Sequence, residues 1–453
     1  MRWLVLTHRY LGIVLGILMA AWCLSGVVMM YVGYPELEPA ERTHALRPLD
    51  LSGCCTSLDA GPVSSFQVEM LAGRPVMRAG ARVIDLLSGQ PLESISAAQA
   101  QAVATDFVSG APTGLLGTLV YDQWTLEGVR PRERPLYHFA APGGTELYVS
   151  QSTGRLVKAT TARERFWNWL GAVPHWLYFA DLRHNAALWT RVVVWTSLFG
   201  CFLTVTGIYL GVQRFVRRPA GRLSPYRGLL LWHHVPGFFA GVLALTWVAS
   251  GLISMNPWGF LDDDWSRPPD TGSLTGELVK RSLRVPLPAG TVSVESSRLN
   301  RELYLITTTA NGVHTRLDAR GAPAPLSAAE VERWATTVTG SKAVPELLST
   351  EDAYYFSHHR EVAALPVYRV VLDDAQRTRY YFDATSGTLL RRVDSNSRWY
   401  RWLHQGLHRM DFTPGLRARP LWDVVMWVLM SAVATICITG AVLGIRRLRP
   451  RAG

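Results

Sequence analysis

Four histidines of this chain recur in two pairs at fixed spacings, and imidazole is a side chain that binds metals. His8 and His233 are 225 positions apart, and each is followed by glycine four and eight residues later. His175 and His408 are 233 positions apart. Positions i, i+4 and i+8 share one face of a helix, so the first two histidines stand beside flat glycine surfaces. A flat apolar ring with a central iron fits such a surface, and histidine is a standard axial ligand of haem iron.

Two neighbouring histidines leave the choice of ligand open. His234 directly follows His233, and the two point in different directions on a helix. His404 precedes His408 by four residues, so both lie on one helix face. The spacing favours His233 and His408 as ligands, with His234 and His404 as the alternates, because the position equivalent to His404 is Gly171.

The elements that must position these histidines are four apolar stretches, each near the length of about 20 residues that a bilayer requires. The net charge of +11 lies mostly beside these stretches, which indicates cytoplasmic segments rather than binding to nucleic acid. Both chain ends and the basic loop 214–227 are therefore predicted to be cytoplasmic, with the two long segments on the other side. The predicted spans are about Tyr10–Tyr34, Val192–Gln213, Gly228–Pro257 and Val424–Ile445.

The two long segments also repeat one another. Ser96 and Ser327 are each followed three residues later by Gln or Glu, a pattern that predicts a capped helix start. The stretches 148–154 and 381–387 each predict two strands around a turn. We predict one unit written twice, in the order helix, α+β domain, interfacial helix, helix, with a pseudo-two-fold axis along the membrane normal. The axis would bring each histidine pair together, one at either end of the bundle.

Several other positions are interpreted as structural. The pairs Gly207–Gly211 and Gly440–Gly444 are typical of closely packed membrane helices. Cysteines inside the spans are expected to pack in the core, whereas the sequence leaves open the role of the adjacent Cys54 and Cys55. Three histidines are expected to be ordinary residues of the soluble segments: His44, His138 and His314.

The motifs that are absent limit the cofactor and the electron source. No C-x-x-C-H occurs, so covalent c-type haem attachment is not expected. No G-x-G-x-x-G that opens a helix after a strand and no Walker A motif occurs. Electrons entering from the cytoplasm must therefore come from a membrane quinol or a separate reductase.

A second histidine pair stands in the run Asp352–Arg360. His358 and His359 are adjacent there, whereas the first soluble segment has Tyr121–Trp124 at about the matching place and no histidine pair. Adjacent histidines bind metal in some proteins and form a polar strand end in others. We interpret them as a possible contact for substrate.

Five further stretches of the chain are informative together: H-R-Y-L-G at 8–12, V-P-H-W-L-Y-F at 173–179, D-A-Y-Y-F-S-H-H at 352–359, R-W-L-H-Q-G-L-H at 401–408 and R-P-L-W-D at 419–423. These stretches resemble the PepSY-associated transmembrane family. The resemblance covers nearly the whole chain and implies that the soluble segments are PepSY-like domains. The family includes inner-membrane ferric-siderophore reductases that carry two b-type haems, so the resemblance implies two haem b groups and that activity here.

The expected fold is an α-helical membrane protein of the bacterial inner membrane, with four transmembrane helices, two α+β (PepSY-like) periplasmic domains and an internal two-fold repeat. The expected function is reduction of a periplasmic ferric chelate, such as a ferric siderophore, by a haem protein. The alternatives are a non-enzymatic PepSY protein that binds peptides or regulates a peptidase, and a siderophore permease, which the absence of a broken-helix pair disfavours. The expected boundaries are 1–34, 35–165, 166–213, 214–227, 228–257, 258–397, 398–445 and 446–453.

Overall fold

The computed structural model describes residues 1–55, 61–80, 82–261, 273–340, 342–358 and 361–448. Four helices in these ranges are long and apolar enough to cross a membrane, as the sequence predicts: α1, α7, α8 and α14. The helices are α1 (Arg2–Met29), α2 (Pro39–His44), α3 (Ala97–Phe107), α4 (Ala162–Leu170), α5 (Ala172–Trp176), α6 (Ala180–His184), α7 (Ala186–Val216), α8 (Leu229–Ser254), α9 (Gly276–Ser282), α10 (Ala328–Thr339), α11 (Ser395–Tyr400), α12 (Leu407–Arg409), α13 (Pro414–Arg417) and α14 (Leu421–Leu448).

The chain divides into two compact units, and the membrane helices belong to the first, which comprises residues 1–34, 163–262 and 397–453. Helix α1 packs against α14 and α7, and α8 packs against the same two helices, so the four form a ring. Apolar side chains from all four helices fill its centre, among them Leu15, Met19, Leu203, Trp247, Met426 and Val433.

Two of the spans differ from the prediction at their N-terminal ends. Helix α1 begins at Arg2 rather than near Tyr10, and α7 begins at Ala186 rather than near Val192. The polar residues there do not end the helices, because a helix satisfies its own backbone hydrogen bonds in water as well as in lipid. His8 therefore lies inside a regular helix and not at its start.

The second unit comprises residues 35–162 and 263–396 and contains all the strands. Its strands form one seven-stranded sheet in the order β11-β10-β9-β1-β2-β3-β4 and two four-stranded sheets, β5-β6-β7-β8 and β12-β13-β14-β15. The strands are β1 (Gln67–Leu71), β2 (Arg74–Ala79), β3 (Arg82–Asp85), β4 (Pro91–Leu92), β5 (Gly114–Leu119), β6 (Leu136–Ala141), β7 (Thr145–Ser150), β8 (Leu156–Thr160), β9 (Thr291–Leu299), β10 (Glu302–Thr309), β11 (His314–Leu317), β12 (Glu346–Leu348), β13 (Val367–Val371), β14 (Arg379–Asp383) and β15 (Leu389–Val393).

Local signals in the two soluble segments match the structure closely. Ser96 caps α3 and Ser327 caps α10, each in a reciprocal capping box with the Gln or Glu three residues later. The predicted strand pairs are β7 with β8 and β14 with β15. The coarse expectation of a membrane protein with α+β domains is thereby confirmed.

The pairing between the two soluble segments is a feature that the sequence does not predict. Strand β1 pairs antiparallel with β9, with Gln67 opposite Glu295. This pairing satisfies the backbone groups of two strands that would otherwise be sheet edges. The two segments consequently share one sheet, while α3 and α10 each cover a separate four-stranded sheet.

Cys54 and Cys55 form a disulfide bond between adjacent residues. Cys55 is fully buried and donates its backbone N–H to the carbonyl oxygen of Leu86 at 3.0 Å. Cysteines 23 and 437 are buried in the bundle with free thiols, in agreement with a packing role.

Candidate functional site

The imidazoles of His8 and His233 face each other inside the helix bundle, with ring centroids 6.4 Å apart. His8 Nδ1 lies 3.2 Å from the carbonyl oxygen of Leu203 on α7. His233 Nδ1 lies 3.1 Å from the carbonyl oxygen of Ile436 on α14. Because a carbonyl oxygen only accepts hydrogen bonds, each Nδ1 carries the ring proton. Each Nε2 therefore keeps its lone pair, the state in which imidazole binds iron.

A threonine accompanies each of these carbonyl groups. Thr206 Oγ1 donates to the carbonyl oxygen of Leu203 at 2.9 Å and lies 3.3 Å from Nδ1 of His8. Thr439 Oγ1 lies 3.3 Å from Nδ1 of His233 and 3.2 Å from the carbonyl oxygen of Ile436, and its shortest hydrogen bond is to the carbonyl oxygen of Thr435, at 2.5 Å. Hydrogen bonds of this kind orient a metal-binding histidine and adjust its basicity.

Glycines make room for both rings. A Cβ atom placed on Gly207 would lie 2.7 Å from Cε1 of His8, and one placed on Gly440 would lie 2.8 Å from Cε1 of His233. Both distances are shorter than a van der Waals contact. These two glycines, interpreted from the sequence as helix-packing positions, therefore accommodate the imidazoles.

Three other glycines of the same patterns behave differently. A Cβ on Gly444 would meet the side chain of Ile13, so this position does serve helix packing. Gly16 and Gly241 also lie against neighbouring helices, with contacts at 3.4 Å and 3.0 Å for an added Cβ. These glycines thus bring helices together instead of presenting a free flat face beside the histidine.

His175 and His408 form the second pair, with ring centroids 6.2 Å apart. They lie on the short helices α5 and α12, outside the membrane-spanning helices. His175 Nδ1 is 3.0 Å from the carbonyl oxygen of Trp22 on α1, and His408 Nδ1 is 3.2 Å from that of Trp247 on α8. Burial lowers the pKa of His175 to about 4, so its imidazole is neutral at pH 7.

Serines take the place of the threonines at this second pair. Ser25 Oγ is 3.2 Å from Nδ1 of His175, and its nearest carbonyl acceptors are those of Ala21, at 2.6 Å, and Trp22, at 3.1 Å. Ser250 Oγ is 3.0 Å from Nδ1 of His408 and donates to the carbonyl oxygen of Trp247 at 3.0 Å. The two ends of the bundle thus use one anchoring scheme.

The helices exchange roles between the two sites. At the His8–His233 pair, α1 and α8 carry the imidazoles and α7 and α14 supply the carbonyl groups. At the His175–His408 pair, α1 and α8 supply the carbonyl groups instead. Along α1 the 17 residues from His8 to Ser25 correspond to a rise of roughly 25 Å, so the sites lie in opposite halves of the bundle.

The spacing of each pair agrees with two imidazoles on one iron. With metal–nitrogen bonds of about 2.0 Å on opposite sides of a metal, the facing nitrogens are about 4 Å apart and the ring centroids roughly 6 Å apart. The observed separations are 6.4 Å and 6.2 Å. The donor set therefore fits bis-histidine haem at both places.

Two buried tryptophan N–H groups are also consistent with a bound group that carries hydrogen-bond acceptors. The indole N–H groups of Trp22 and Trp247 are buried and have no hydrogen-bond partner within the described part of the chain. Buried N–H donors are nearly always paired in folded proteins, and a bound group with oxygen atoms would supply acceptors for these two.

The alternate ligand His234 has both ring nitrogens engaged. Its Nε2 lies 3.1 Å from the carbonyl oxygen of Gly211, and its Nδ1 lies 3.0 Å from Ser224 Oγ. Neither nitrogen is available to a metal without breaking one of these bonds. His234 is thus held by hydrogen bonds within the bundle, and His233 remains the predicted ligand.

The other alternate, His404, lies beside the second pair. Its ring is stacked on that of His408, with centroids 5.1 Å apart, and its Nδ1 lies 3.3 Å from the carbonyl oxygen of Ser250. It sits on the π-helical stretch Arg401–Gly406. The corresponding Gly171 has no room for a side chain, since an added Cβ would lie 3.0 Å from Val28. The second site therefore has a third imidazole on one side only.

The proposed substrate contact lies in the second unit. His358 exchanges backbone hydrogen bonds with Glu361, and its ring packs edge-on against Phe356 at 4.9 Å. His359 lies outside the described residues.

Sequence reasoning missed the anchoring groups, although a signal was present. The tryptophan and serine at 22 and 25 recur at 247 and 250, with the same spacing as the histidines. A hydroxyl that recurs with a ligand inside an apolar span indicates a polar contact, because an unpaired hydroxyl in lipid is costly. The carbonyl acceptors themselves leave no trace in a sequence.

The chain matches the family described as PepSY-associated TM region over residues 5–291. It belongs to this family. The match includes most of α1 and all of α5, α7 and α8, and hence three of the four paired histidines. The sequence of α14, the D-A-Y-Y-F-S-H-H run and the R-W-L-H-Q-G-L-H run lie beyond it. A search of the curated proteins finds no match.

Proposed function

We propose that this member of the PepSY-associated transmembrane family is a b-type dihaem reductase that delivers electrons to a ferric chelate on the periplasmic side of the bacterial inner membrane. The observation that carries the proposal is the geometry of the two imidazole pairs. Both have the separation that one iron requires, and all four Nδ1 atoms are held by backbone carbonyl groups.

The chain's own residues would hold, orient and enclose the two groups. His8 and His233 would bind one haem and His175 and His408 the other, and the hydrogen-bonded carbonyls fix which nitrogen faces the metal. Haem, when bound, supplies one-electron transfer. The apolar bundle around both sites excludes water, and the absence of C-x-x-C-H agrees with haem b rather than a covalently attached haem.

Two observations support the proposed orientation. The basic residues beside the spans, such as Arg214, Arg217 and Arg446, favour a cytoplasmic location of the 214–227 loop and of both chain ends. The disulfide between Cys54 and Cys55 lies in the second unit, and disulfides persist in oxidising compartments such as the periplasm. The second unit would therefore be periplasmic, with His175 and His408 at the periplasmic end of the bundle.

We also infer that the chain is a tandem repeat with a pseudo-two-fold axis along the membrane normal. The support is the repetition of anchoring contacts, since Leu203 and Thr206 correspond to Ile436 and Thr439 at a spacing of 233 residues. At the other site the spacing of the anchoring serines is 225 residues.

The acceptor would be a ferric siderophore or another ferric chelate. One electron converts bound Fe(III) to Fe(II), which chelators with hard oxygen donors hold far less tightly, so iron is released. The electron donor would be a membrane quinol or a separate reductase, because no nucleotide-binding motif is present in the sequence.

Reoxidation of the reduced protein in liposomes tests both the activity and its direction. The full chain is reconstituted with known orientation, reduced, and mixed with a ferric siderophore on one side at a time. We expect fast reoxidation when the chelate is added on the side of the second unit and little reoxidation from the side of the 214–227 loop. A matched gallium chelate, which is not reducible under these conditions, is the control. Reoxidation only from the loop side would contradict the proposed direction, and none from either side would contradict the activity.

A further inference from the structure

Three side chains able to bind a metal converge in the first soluble segment, within the second unit. One ligand atom each of Asp122, His138 and Glu146 lies within 4.8 Å of the other two. All three side chains are partly buried. The sequence predicts that His138 is an ordinary domain residue, whereas the structure places it in this cluster.

The β-sheet fixes two of the three positions. His138 on β6 is directly opposite Tyr148 on β7, and Glu146 lies two residues before that tyrosine. Opposite residues and residues two apart point to the same face of a sheet, so these side chains share one face. His138 Nε2 lies 3.0 Å from Glu146 Oε2, and the imidazole is stacked on the tyrosine ring at 4.5 Å.

A turn fixes the third position. Asp122 lies between β5 and β6, and its Oδ1 accepts the backbone N–H groups of Trp124 and Thr125, both at 3.0 Å. Its Oδ2 accepts the hydroxyl of Tyr148 at 2.7 Å. Because both oxygens are held, the carboxylate cannot rotate away from the cluster without losing these bonds.

The tyrosine hydroxyl bridges two carboxylates with a single proton. Tyr148 Oη lies 2.7 Å from Asp122 Oδ2 and 3.0 Å from Glu146 Oε2. Two negative groups are thus held close together at one point of the sheet.

The second soluble segment has a positively charged side chain at the corresponding point of its sheet. Asp352 forms the same turn, with Oδ1 accepting the N–H groups two and three residues later, and Oδ2 accepts the hydroxyl of Tyr381 at 2.8 Å. Directly opposite that tyrosine stands Arg369, whose Nη1 lies 2.7 Å from Asp352 Oδ2. A cation therefore fills the place that corresponds to His138.

The first segment has different side chains at these two positions. Histidine replaces arginine opposite the tyrosine, and Glu146 stands where the second segment has Arg379. Arg134, the charged group that acts on Asp122 from the neighbouring loop, directs its guanidinium to the carbonyl oxygens of Thr125 and Val129. Arg134 therefore binds backbone carbonyl groups, whereas Arg369 binds the carboxylate of Asp352.

We propose that Asp122, His138 and Glu146 bind one divalent transition-metal ion, in the position that Arg369 occupies in the second segment. The ion would displace the proton that His138 Nε2 shares with Glu146 Oε2. Imidazole with carboxylates is a ligand set that suits Zn²⁺, Mn²⁺ and Fe²⁺. The site is independent of the proposed haem sites, because every ligand belongs to the first soluble segment.

Zinc binding by the full chain tests this site. The detergent-solubilised protein, with any affinity tag removed, is stripped with a chelator, loaded with Zn²⁺, desalted and assayed for zinc by mass spectrometry. We expect one zinc per chain, and zinc-edge X-ray absorption should show one imidazole with oxygen ligands and no sulfur. Neither readout depends on haem content or reductase activity.

The matched variant is His138→Arg, which reproduces the residue found in the second segment. It should fold normally and lose the bound zinc, and His138→Gln should lose it as well. Asp352→Asn, at the corresponding turn, should leave the zinc content unchanged. Equal zinc content in the wild type and in both His138 variants would overturn the proposal, as would a wild type without zinc or a sulfur-ligated ion.

Discussion

The two halves of this chain, residues 1–216 and 229–448, have equivalent side-chain contacts in the helix bundle and different ones in the soluble unit. In the bundle, each half supplies one imidazole to each site together with the carbonyl and hydroxyl groups that hold it. His8 is anchored within the first half and His233 within the second, and the halves meet where the rings face each other. A change in either half would alter a site that both halves build.

The soluble segments share a hydrophobic core and the β1–β9 pairing, but each forms its main buried ion pair from its own residues. In the first, Glu69 is buried against Arg78 and Arg42, whereas in the second Arg316 is buried against Glu330 and the ring of Tyr304. Sites completed within one segment are free to differ. The comparison therefore predicts that loss of equivalent histidines in the two halves of the bundle has equal effects on haem binding. Substitutions in the two soluble segments should instead have unequal effects on stability.

The largest expected effect is the loss of a whole haem. His8→Ala and His233→Ala should each remove the same haem, because both ligands belong to one iron, and should leave the other spectroscopically unchanged. His175→Ala should remove the other haem. Potentiometric titration with haem counting is the measurement, and His234→Ala, whose side chain is hydrogen-bonded elsewhere, is the control. Loss of different haems in the first two variants would end the proposed equivalence of the halves.

The next effect concerns the stability of the soluble unit. Glu69→Gln leaves the buried Arg78 guanidinium without its carboxylate, and removal of one partner of a buried ion pair costs about 3–5 kcal/mol. Glu330→Gln should cost less, about 1–3 kcal/mol, because the Glu330 side chain is 12% exposed, whereas that of Glu69 is 1% exposed and pairs with both Arg78 and Arg42. Hydrogen–deuterium exchange of peptides from β1 and β10 would measure both. Equal losses would show that the two clusters do not differ in the way described.

The same carboxylate gives the soluble unit a dependence on pH. Burial opposes ionisation of Glu69, but Arg78, Arg42 and Arg155 outweigh it and hold the pKa below the ordinary value of 4.5. A lowered pKa in the folded state means that the stabilisation is complete above the ordinary pKa and is lost as the pH falls through the folded value. Protection of β1 should thus decline below about pH 4.5, and Glu69→Gln should remove this part of the decline.

The smallest effect is a shift of one reduction potential. Thr206→Val removes the hydroxyl that shares the carbonyl oxygen of Leu203 with His8. The carbonyl then becomes a better acceptor for the imidazole proton, the ligand becomes more basic, and the potential of that haem should fall by tens of millivolts. Thr439→Val should lower the same potential by less, because the Thr439 hydroxyl lies closer to the carbonyl oxygen of Thr435, at 2.5 Å, than to that of Ile436, at 3.2 Å. Thr204→Val is the control, because the hydroxyl of Thr204 donates to the carbonyl oxygen of Gly200 instead. A shift in the other haem would contradict the assignment.

Much of this architecture could be predicted from the sequence, for identifiable reasons. Apolar length and flanking arginines predict the spans, and the Ser-x-x-Gln and Ser-x-x-Glu patterns predict the starts of α3 and α10 correctly. The fixed spacing of the histidines predicted which imidazoles would face each other, and the structure brings both pairs together.

The remainder depends on contacts that no local pattern encodes. The β1–β9 pairing joins segments more than 200 residues apart, and neither strand has a signal for its partner. The roles of Gly207 and Gly440 differ from the prediction because helix packing and accommodation of a ring require the same small residue. His138 looked ordinary because its ligand partners, Asp122 and Glu146, follow no spacing motif.

The measurement that tests the central claim most directly is the haem content of the purified full chain, expressed with an adequate supply of haem. The account predicts two non-covalently bound, low-spin b-type haems per chain with two separable reduction potentials, and none in the double variant His8→Ala/His175→Ala. A colourless wild-type protein that is folded and membrane-inserted would contradict the account. A double variant that keeps both haems would contradict the assignment of the ligands.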